Sequence, residues 1–394
     1  MVFDPRDPAF LADPYPVFAA LRAEGPVHWH EELGVAVAVS HEACSEVLRN
    51  RSAGRLWRDK EPASSFVAFN LLHQNSLLEN EPPRHTRLRR LISAAFARGH
   101  TERLRPWVRT LSTSLVRSLA SAIRADGSAD LLTHVAAPLP VEVIAELLGV
   151  PAPDRSRLQP WSNAIVKMYE YGLPAPQAAA AEDAASEFVD YLRALAAKRV
   201  SSPGPDLISD LVAVRDGTDR LTDDELVGTA VLLLMAGHEA TVNVVGNGVL
   251  ALLRHRSEWE RLVADPSLLP TAVEELIRFD APLQLFERTA TAPTTVAGYA
   301  LEPGDKVAAL LGAAARDPLV FSSPDRLDVG RSPNAHLGFG AGIHYCVGAP
   351  LARVEISAAL EALVTELPGL RLASEPERRP EFVIRGLQTL PVTA

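Results

Sequence analysis

The stretch from Thr222 to Arg254 constrains this chain more than any other. Thr222-Asp223-Asp224-Glu225 has the spacing of a reciprocal helix cap, in which the threonine bonds the backbone three residues on and the glutamate returns the bond. At 1.5 Å per residue the helix it opens runs roughly 45 Å, long enough to cross a whole domain. Val227, Val231, Leu232, Leu233, Leu234, Val244, Val245, Val249 and Leu250 make it apolar on most sides. A helix apolar all round is buried, so other elements must cover it.

The rest of the chain is mostly helical in pattern. Helices are expected over 13–24, 41–50, 177–199 and 347–367, and over 83–150 with breaks at Gly99, Asp126-Gly127 and Pro138. Residues 27–39 alternate around Gly34, which predicts a hairpin. Residues 54–81 sustain no period and mix Trp57, Phe66, Phe69 and Leu71 with polar residues. They read as a long loop with helical fragments, a kind of segment that is often functional. Short β-like runs and turns fill 283–310. The turn at 201–205 has linker composition, but a helix follows at once. Residues 1–394 are therefore read as one domain, mainly α with a smaller β-rich region.

Composition narrows the function. Lys plus Arg is 39 and Asp plus Glu is 49, a formal charge of −10, which argues against a general nucleic-acid binder. Two cysteines, Cys44 and Cys346, make no disulfide framework, and a reduced, cytoplasmic setting is the expectation. The apolar run from Val231 to Ala236 is far short of the ~18 residues a membrane span needs. The first sixteen residues carry Asp4, Arg6, Asp7 and Asp13 and no signal-peptide core. No membrane association is expected.

The segment Phe339-Gly340-Ala341-Gly342-Ile343-His344-Tyr345-Cys346-Val347-Gly348 carries the chemistry. Its glycines bend tightly and then open a helix, with Cys346 near the helix N-terminus. The positive end of a helix favours thiolate over thiol. One thiolate cannot build a zinc site or an iron–sulfur cluster, but it suits a haem iron, whose porphyrin supplies four ligands. Neither GxGxxG nor a Walker loop is completed here: Ile343 or Tyr345 stands where the last glycine belongs. Electrons must then come from a partner rather than from a bound dinucleotide. His238-Glu239 begins a zinc-protease motif that fails at Val242.

The pattern FGxGxHxCxG resembles the haem-ligand loop of the cytochrome P-450 superfamily, the haem-thiolate monooxygenases. The resemblance extends from Asp13-Pro14-Tyr15-Pro16 to Arg385-Gly386-Leu387 and is strongest to the soluble bacterial branch. It implies the cytochrome P-450 fold, with the long central helix over a haem b whose iron is bound by Cys346, and Phe339 and Gly340 in the cofactor loop. It implies a monomer that inserts one atom of dioxygen into a small, largely apolar organic molecule. Ferredoxin and ferredoxin reductase are the implied electron donors, with Arg84, Arg87, Arg90 and Arg353 as docking cations. His85 and Arg89 lie four apart on one helical face. By resemblance they hold the haem propionates together with Arg288 and His344.

Within the long helix, Ala236-Gly237-His238-Glu239-Ala240-Thr241 is the stretch that the family arches over the haem. Small residues there leave room for dioxygen, and Glu239 helps to deliver protons. The family places an alcohol directly after the acid. Here Ala240 follows Glu239, and the threonine comes one residue later at Thr241. A substrate hydroxyl or an ordered water is the expected replacement. Ala240 also supports a peroxide-driven or oxidative-coupling haem-thiolate enzyme, and a non-catalytic haem sensor or a haem-free scaffold are readings of other classes. Glu275 and Arg278, three apart, share a helix face and can pair. By resemblance they are a structural pair with Arg326 as third partner. Candidate pocket residues, also by resemblance, are Leu56, Trp57, Phe66, Val67 and Phe69, then Leu233 and Ala236, then Leu283, Gln284, Leu285 and Phe286, and finally Gln388 and Thr389.

Overall fold

The computed structural model describes residues 3–97, 99–170, 172–214 and 217–394. The chain begins with α1 (Pro8–Ala12), α2 (Tyr15–Glu24), β1 (Val27–His30), β2 (Val35–Ala38), α3 (His41–Arg49) and β3 (Ala53–Gly54). It continues through α4 (Val67–Gln74), α5 (Arg84–Phe96), α6 (His100–Asp126), β4 (Ala129–Asp130) and α7 (Pro138–Leu148). Then come α8 (Leu158–Val166), α9 (Ala175–Ser201), α10 (Leu207–Ala213) and the long α11 (Asp223–Arg254). After α12 (Arg256–Ala264) and α13 (Leu269–Phe279) lie β5 (Leu285–Ala290), β6 (Thr294–Val296), β7 (Tyr299–Leu301) and β8 (Lys306–Leu310). The chain closes with α14 (Leu311–Ala314), α15 (Ala349–Glu366), β9 (Arg371–Leu372) and β10 (Pro391–Thr393).

Local chemistry explains most of these boundaries. Thr222 and Glu225 make the reciprocal cap of α11: Glu225 N donates to Thr222 Oγ1 at 3.2 Å and Thr222 N to Glu225 Oε2 at 3.0 Å. Three acids in its first turn and Arg254 in its last complement the helix dipole. By composition α11 could span a membrane, with mean hydropathy 1.3 over 18 residues, yet 78% of that stretch is buried in the protein. The hairpin forms as expected, with Val27 opposite Ala38 and His30 opposite Val35. Gly34 turns it at φ +60°, where side chains are disfavoured. Pro138 does not break a helix but opens α7, a position where a missing N–H costs nothing. The irregularity comes one turn earlier, in a π-helical stretch at Leu132–Ala136. The first long helix starts at Tyr15 rather than Asp13, because Asp13 is extended and ends α1.

The chain forms two compact units. One comprises Met1–Gly54, Val108–Leu139 and Ala240–Ala394. Its main sheet has the order β1-β2-β8-β5-β3, antiparallel except between β2 and β8. β2 reads Val-Ala-Val-Ala and is buried on both faces. Its valines join Phe10, Phe18 and Leu310 on one side. Its alanines join Cys44, Val47 and Leu48 of α3 on the other, where small side chains let the helix approach. The Cys44 thiol is buried there, and burial pushes its pKa up.

The other unit comprises Arg55–Trp107 and Pro140–Glu239. Here α9 packs against α4, α8 and α10. Its buried face is rich in small residues (Ala178, Ala181, Ala184, Ala185) around Phe188 and Leu192. Glu182 of α9 accepts Ala68 N at 2.8 Å and Phe69 N at 2.9 Å. That replaces the cap that α4 lacks in its own sequence. The 54–81 segment is thereby tied down and carries a 3₁₀ turn, Ala63–Ser65, besides α4.

One core residue invites a direct test. Glu355, on α15, is buried, its Oε2 has no hydrogen-bond partner, and burial raises its pKa well above the usual carboxylate range. The folded protein therefore holds a proton that the unfolded chain releases above about pH 4.3. From there upward the parent loses stability relative to Glu355→Gln, by up to about 1.4 kcal/mol per pH unit, until the folded carboxyl ionises. Thermal melts between pH 5 and 8 should show the variant gaining on the parent as pH rises. Parallel curves would mean that Glu355 is charged in the fold.

Candidate active site

The cysteine loop belongs to the first unit. Gly340 (φ +71°) and Gly342 (φ +69°) take the left-handed backbone that glycine permits. A Cβ at Gly342 would stand 2.6 Å from the Leu48 carbonyl oxygen, so α3 and the loop can meet only across a bare glycine. The loop then closes on itself: Gly340 N donates to Leu337 O at 2.8 Å and Cys346 N to Phe339 O at 3.0 Å. Cys346 is exposed, two residues before Gly348, the N-cap of α15. Cys346 thus lies at the positive end of an 18-residue helix, which favours the thiolate.

The same unit holds a buried ion cluster. Arg278 donates to both oxygens of Glu275, from Nε and Nη2, each at 2.8 Å, and both side chains are 0% exposed. The third partner is Arg331, not Arg326. Arg331 Nε lies 3.0 Å from Glu275 Oε2, whereas the Arg326 side chain is exposed and only its backbone carbonyl takes part, accepting from Arg331 at 2.9 Å. Asp328 N (2.9 Å) and Asn334 Nδ2 (3.1 Å) complete the set around Glu275. Arg326 and Arg331 both follow an acidic turn, and nothing local marks which one turns inward.

Glu274, next along α13, makes a second cluster. Arg353 grips it in a fork, Nε to Oε1 at 2.6 Å and Nη2 to Oε2 at 2.9 Å. Arg353, expected as a cation for a redox partner, therefore has an internal partner. In the second unit, Arg87 likewise bonds Asp219 and Glu225, both at 2.9 Å, and Arg84 bonds Asn75 at 2.7 Å. Arg90 is the most exposed of the four.

The middle of α11 is unusual for a buried helix. Ala236 is exposed and Gly237 and Ala240 are half-buried, while Leu233, His238, Glu239 and Thr241 are buried. Small residues therefore line the accessible side of this stretch. Behind them, His238 Nδ1 lies 3.3 Å from the buried Ser162 hydroxyl, and its Nε2 lies 3.6 Å from Glu239 Oε2. On α5 of the same unit, His85 is buried and Arg89 half-buried. In the first unit, Arg288 on β5 is 2% exposed, with its guanidinium 5.0 Å from the Phe286 ring, and His344 is half-buried.

The pocket candidates divide by burial. Leu56, Val67 and Gln388 are exposed; Trp57, Leu283, Phe286 and Thr389 are half-buried; Phe66, Phe69, Gln284 and Leu285 are buried. Gln284 turns inward, donating to Ala281 O at 2.6 Å. Trp57 stacks on His73 (ring centroids 4.6 Å apart), which also meets Phe69 and the Tyr169 hydroxyl (2.8 Å). Burial lowers the His73 pKa. Sequence reasoning missed His73 and Tyr169, which are 96 residues apart and show no shared spacing.

These residues fit a haem. Among the described residues no three His, Cys, Asp or Glu side chains gather to hold a bare metal ion. A single cysteine thiolate suits an iron that brings its own in-plane nitrogens. In the first unit, which also carries the cysteine loop, the buried cation Arg288 suits a carboxylate that is buried with the macrocycle.

Comparison with known proteins gives the same answer. A family model described as Cytochrome P450 matches residues 27–368. The chain is 40% identical over 391 residues to the cytochrome P450 monooxygenase PikC of Streptomyces venezuelae, covering 97% of this chain and 91% of that one. It is 37% identical to the vitamin D(3) 25-hydroxylase of Pseudonocardia autotrophica, covering 98% and 94%. Among solved structures it matches P450BioI in complex with an acyl carrier protein bearing hexadec-9Z-enoic acid. That match has TM-score 0.91 and 33% identity, and covers 98% of this chain and 99% of that one.

Proposed function

This chain belongs to the cytochrome P450 family, and on that premise we propose that it is a single-domain, cytoplasmic, ferredoxin-dependent monooxygenase of a small, largely apolar organic molecule. As a member it is an oxidoreductase that depends on haem b. The observation that carries the reading is Cys346, placed by a self-closed glycine loop just before α15. The haem, when bound, activates dioxygen so that one atom enters the substrate and the other leaves as water.

The chain's residues have distinct tasks in this reading. The Cys346 thiolate ligates the iron and donates electron density to it. Phe339 and Gly340 shape the loop that holds it. His85, Arg89, Arg288 and His344 neutralise the propionates. Ala236 and Gly237 leave space for a small diatomic gas. Glu239 moves protons at its carboxylate, with His238 and Ser162 as the polar groups behind it. Leu233, Leu283, Leu285, Phe286 and the segment from Leu56 to Phe69 exclude water and orient the substrate, with Gln284, Gln388 and Thr389 as polar groups among them. Reducing equivalents come from a ferredoxin and its reductase, with Arg90 as the most exposed of the docking cations.

A second reading, peroxide-driven or oxidative-coupling chemistry, is favoured by Ala240, which offers no hydroxyl beside Glu239. One experiment separates them and tests the replacement of that hydroxyl. Ferredoxin-driven turnover under ¹⁸O₂ should give product carrying one labelled oxygen, and hydrogen peroxide alone should not support it. In Ala240→Thr the share of electrons recovered as product should change. A fall indicates that the new side chain displaces a substrate hydroxyl; a rise indicates that it supplants a water. Unchanged coupling rejects both. Efficient unlabelled turnover with peroxide rejects the dioxygen reading.

A further inference from the structure

We propose that Arg353, held by Glu274, is a positioning residue for the thiolate: it fixes the ring side chains on either side of the cysteine loop, and the pair holds the reduction potential of the haem by keeping the charge beside the loop balanced. The proposal rests on the reading of Cys346 as the iron ligand.

The geometry places Arg353 at the centre of the loop's support. Its guanidinium stacks 4.4 Å from the centroid of Phe339, the residue whose carbonyl receives Cys346 N–H. Phe339 in turn meets the ring of Tyr345, the neighbour of Cys346, with centroids 6.4 Å apart. The cation thus holds one end of the short segment 339–346 directly, and the other end follows through the contact between the two rings. Glu274 keeps that cation in place through the two-pronged bond, and forked pairs of this kind fix orientation as well as charge. His336 backs the arrangement: Nε2 donates to Glu274 Oε2 at 3.0 Å, and Nδ1 accepts from Gly338 N at 3.1 Å. α13, α15 and the loop backbone are therefore joined through one carboxylate.

Charge supplies the second consequence. The pair is close to neutral as a unit, but each member alone is a partly buried charge beside the loop. Reduction of the haem adds an electron, so an unbalanced positive charge favours it and an unbalanced negative charge opposes it. Removing the two partners should move the potential in opposite directions, although each removal breaks the same bond.

The test is a redox titration of the haem-loaded parent, Glu274→Gln, Arg353→Met, Arg353→Lys and the double variant Glu274→Gln/Arg353→Met. Each protein is first checked for the red-shifted Soret band of its reduced carbon monoxide complex. The expected result is a higher potential in Glu274→Gln, a lower one in Arg353→Met, and values near the parent in Arg353→Lys and the double variant. Some loss of the red-shifted band is expected in Arg353→Met, with recovery in Arg353→Lys. Shifts of the same sign, or none, in the two single variants would overturn the proposal, whatever their melting temperatures. If Arg353→Met retains no haem, Glu274→Gln decides: an unchanged or lowered potential overturns the proposal. A parent without the red-shifted band would instead remove the Cys346 reading on which it stands.

Discussion

Cys346→Ser should abolish oxygen insertion while leaving the fold intact. The parent, reduced and exposed to carbon monoxide, is expected to show a strongly red-shifted Soret band, and the variant none. The reason lies in the donor atom. A thiolate is a soft, polarisable donor that the N-terminus of α15 favours, whereas a serine offers only a hard hydroxyl oxygen. Iron bound without the sulfur loses the electron density that favours O–O cleavage. Because the Cys346 side chain is exposed and loop closure runs through its backbone N–H, the substitution should change stability by no more than about 0.5 kcal/mol. Equal melting of the haem-free proteins, together with lost turnover and a lost red shift, would separate ligation from folding. A variant that kept the red-shifted band would place the ligand elsewhere.

Glu275→Ala should be the most damaging single change in the core. Glu275 is fully buried and accepts from Arg278, Arg331, Asn334 Nδ2 and the backbone N–H of Asp328. Its removal leaves two buried guanidinium groups facing each other without their anion. Breaking one partner out of a buried pair costs about 3–5 kcal/mol. That is a large part of the ~5–15 kcal/mol that holds a typical domain together. Little soluble, haem-loaded protein is expected, and denaturant midpoints of what survives should fall sharply. The same network gives a sharper comparison. Arg331→Ala should approach the severity of Glu275→Ala, whereas Arg326→Ala should lie within about 0.5 kcal/mol of the parent, since only its backbone carbonyl is used. Equal effects at 326 and 331 would contradict the observed cluster.

Arg326 and Arg331 also show where sequence reading reaches its limit. What was legible depended on neighbours close in the chain. The cap of α11 joins residues three apart, the hairpin turns on one glycine, Glu275 and Arg278 lie one helical turn apart, and the cysteine loop needs glycine at positions where L residues are strained. Such features depend on backbone geometry within a few residues, so residue type and spacing carry them. The loop's fit to a haem followed from one sulfur and its place before a helix.

The remaining features were chosen by contacts over long separations. Glu182 caps α4 from 114 residues away, His73 meets Tyr169 across 96, and Arg353 meets Glu274 across 79. Arg331 reaches Glu275 across 56 residues, and the nearby Arg326 offers the same guanidinium. An arginine's sequence neighbourhood says that it needs an anion, but not which anion the packing brings within reach. Residue chemistry therefore announced the thiolate, the buried helix and the ion pair, while burial and geometry in the folded chain selected the partners that hold them.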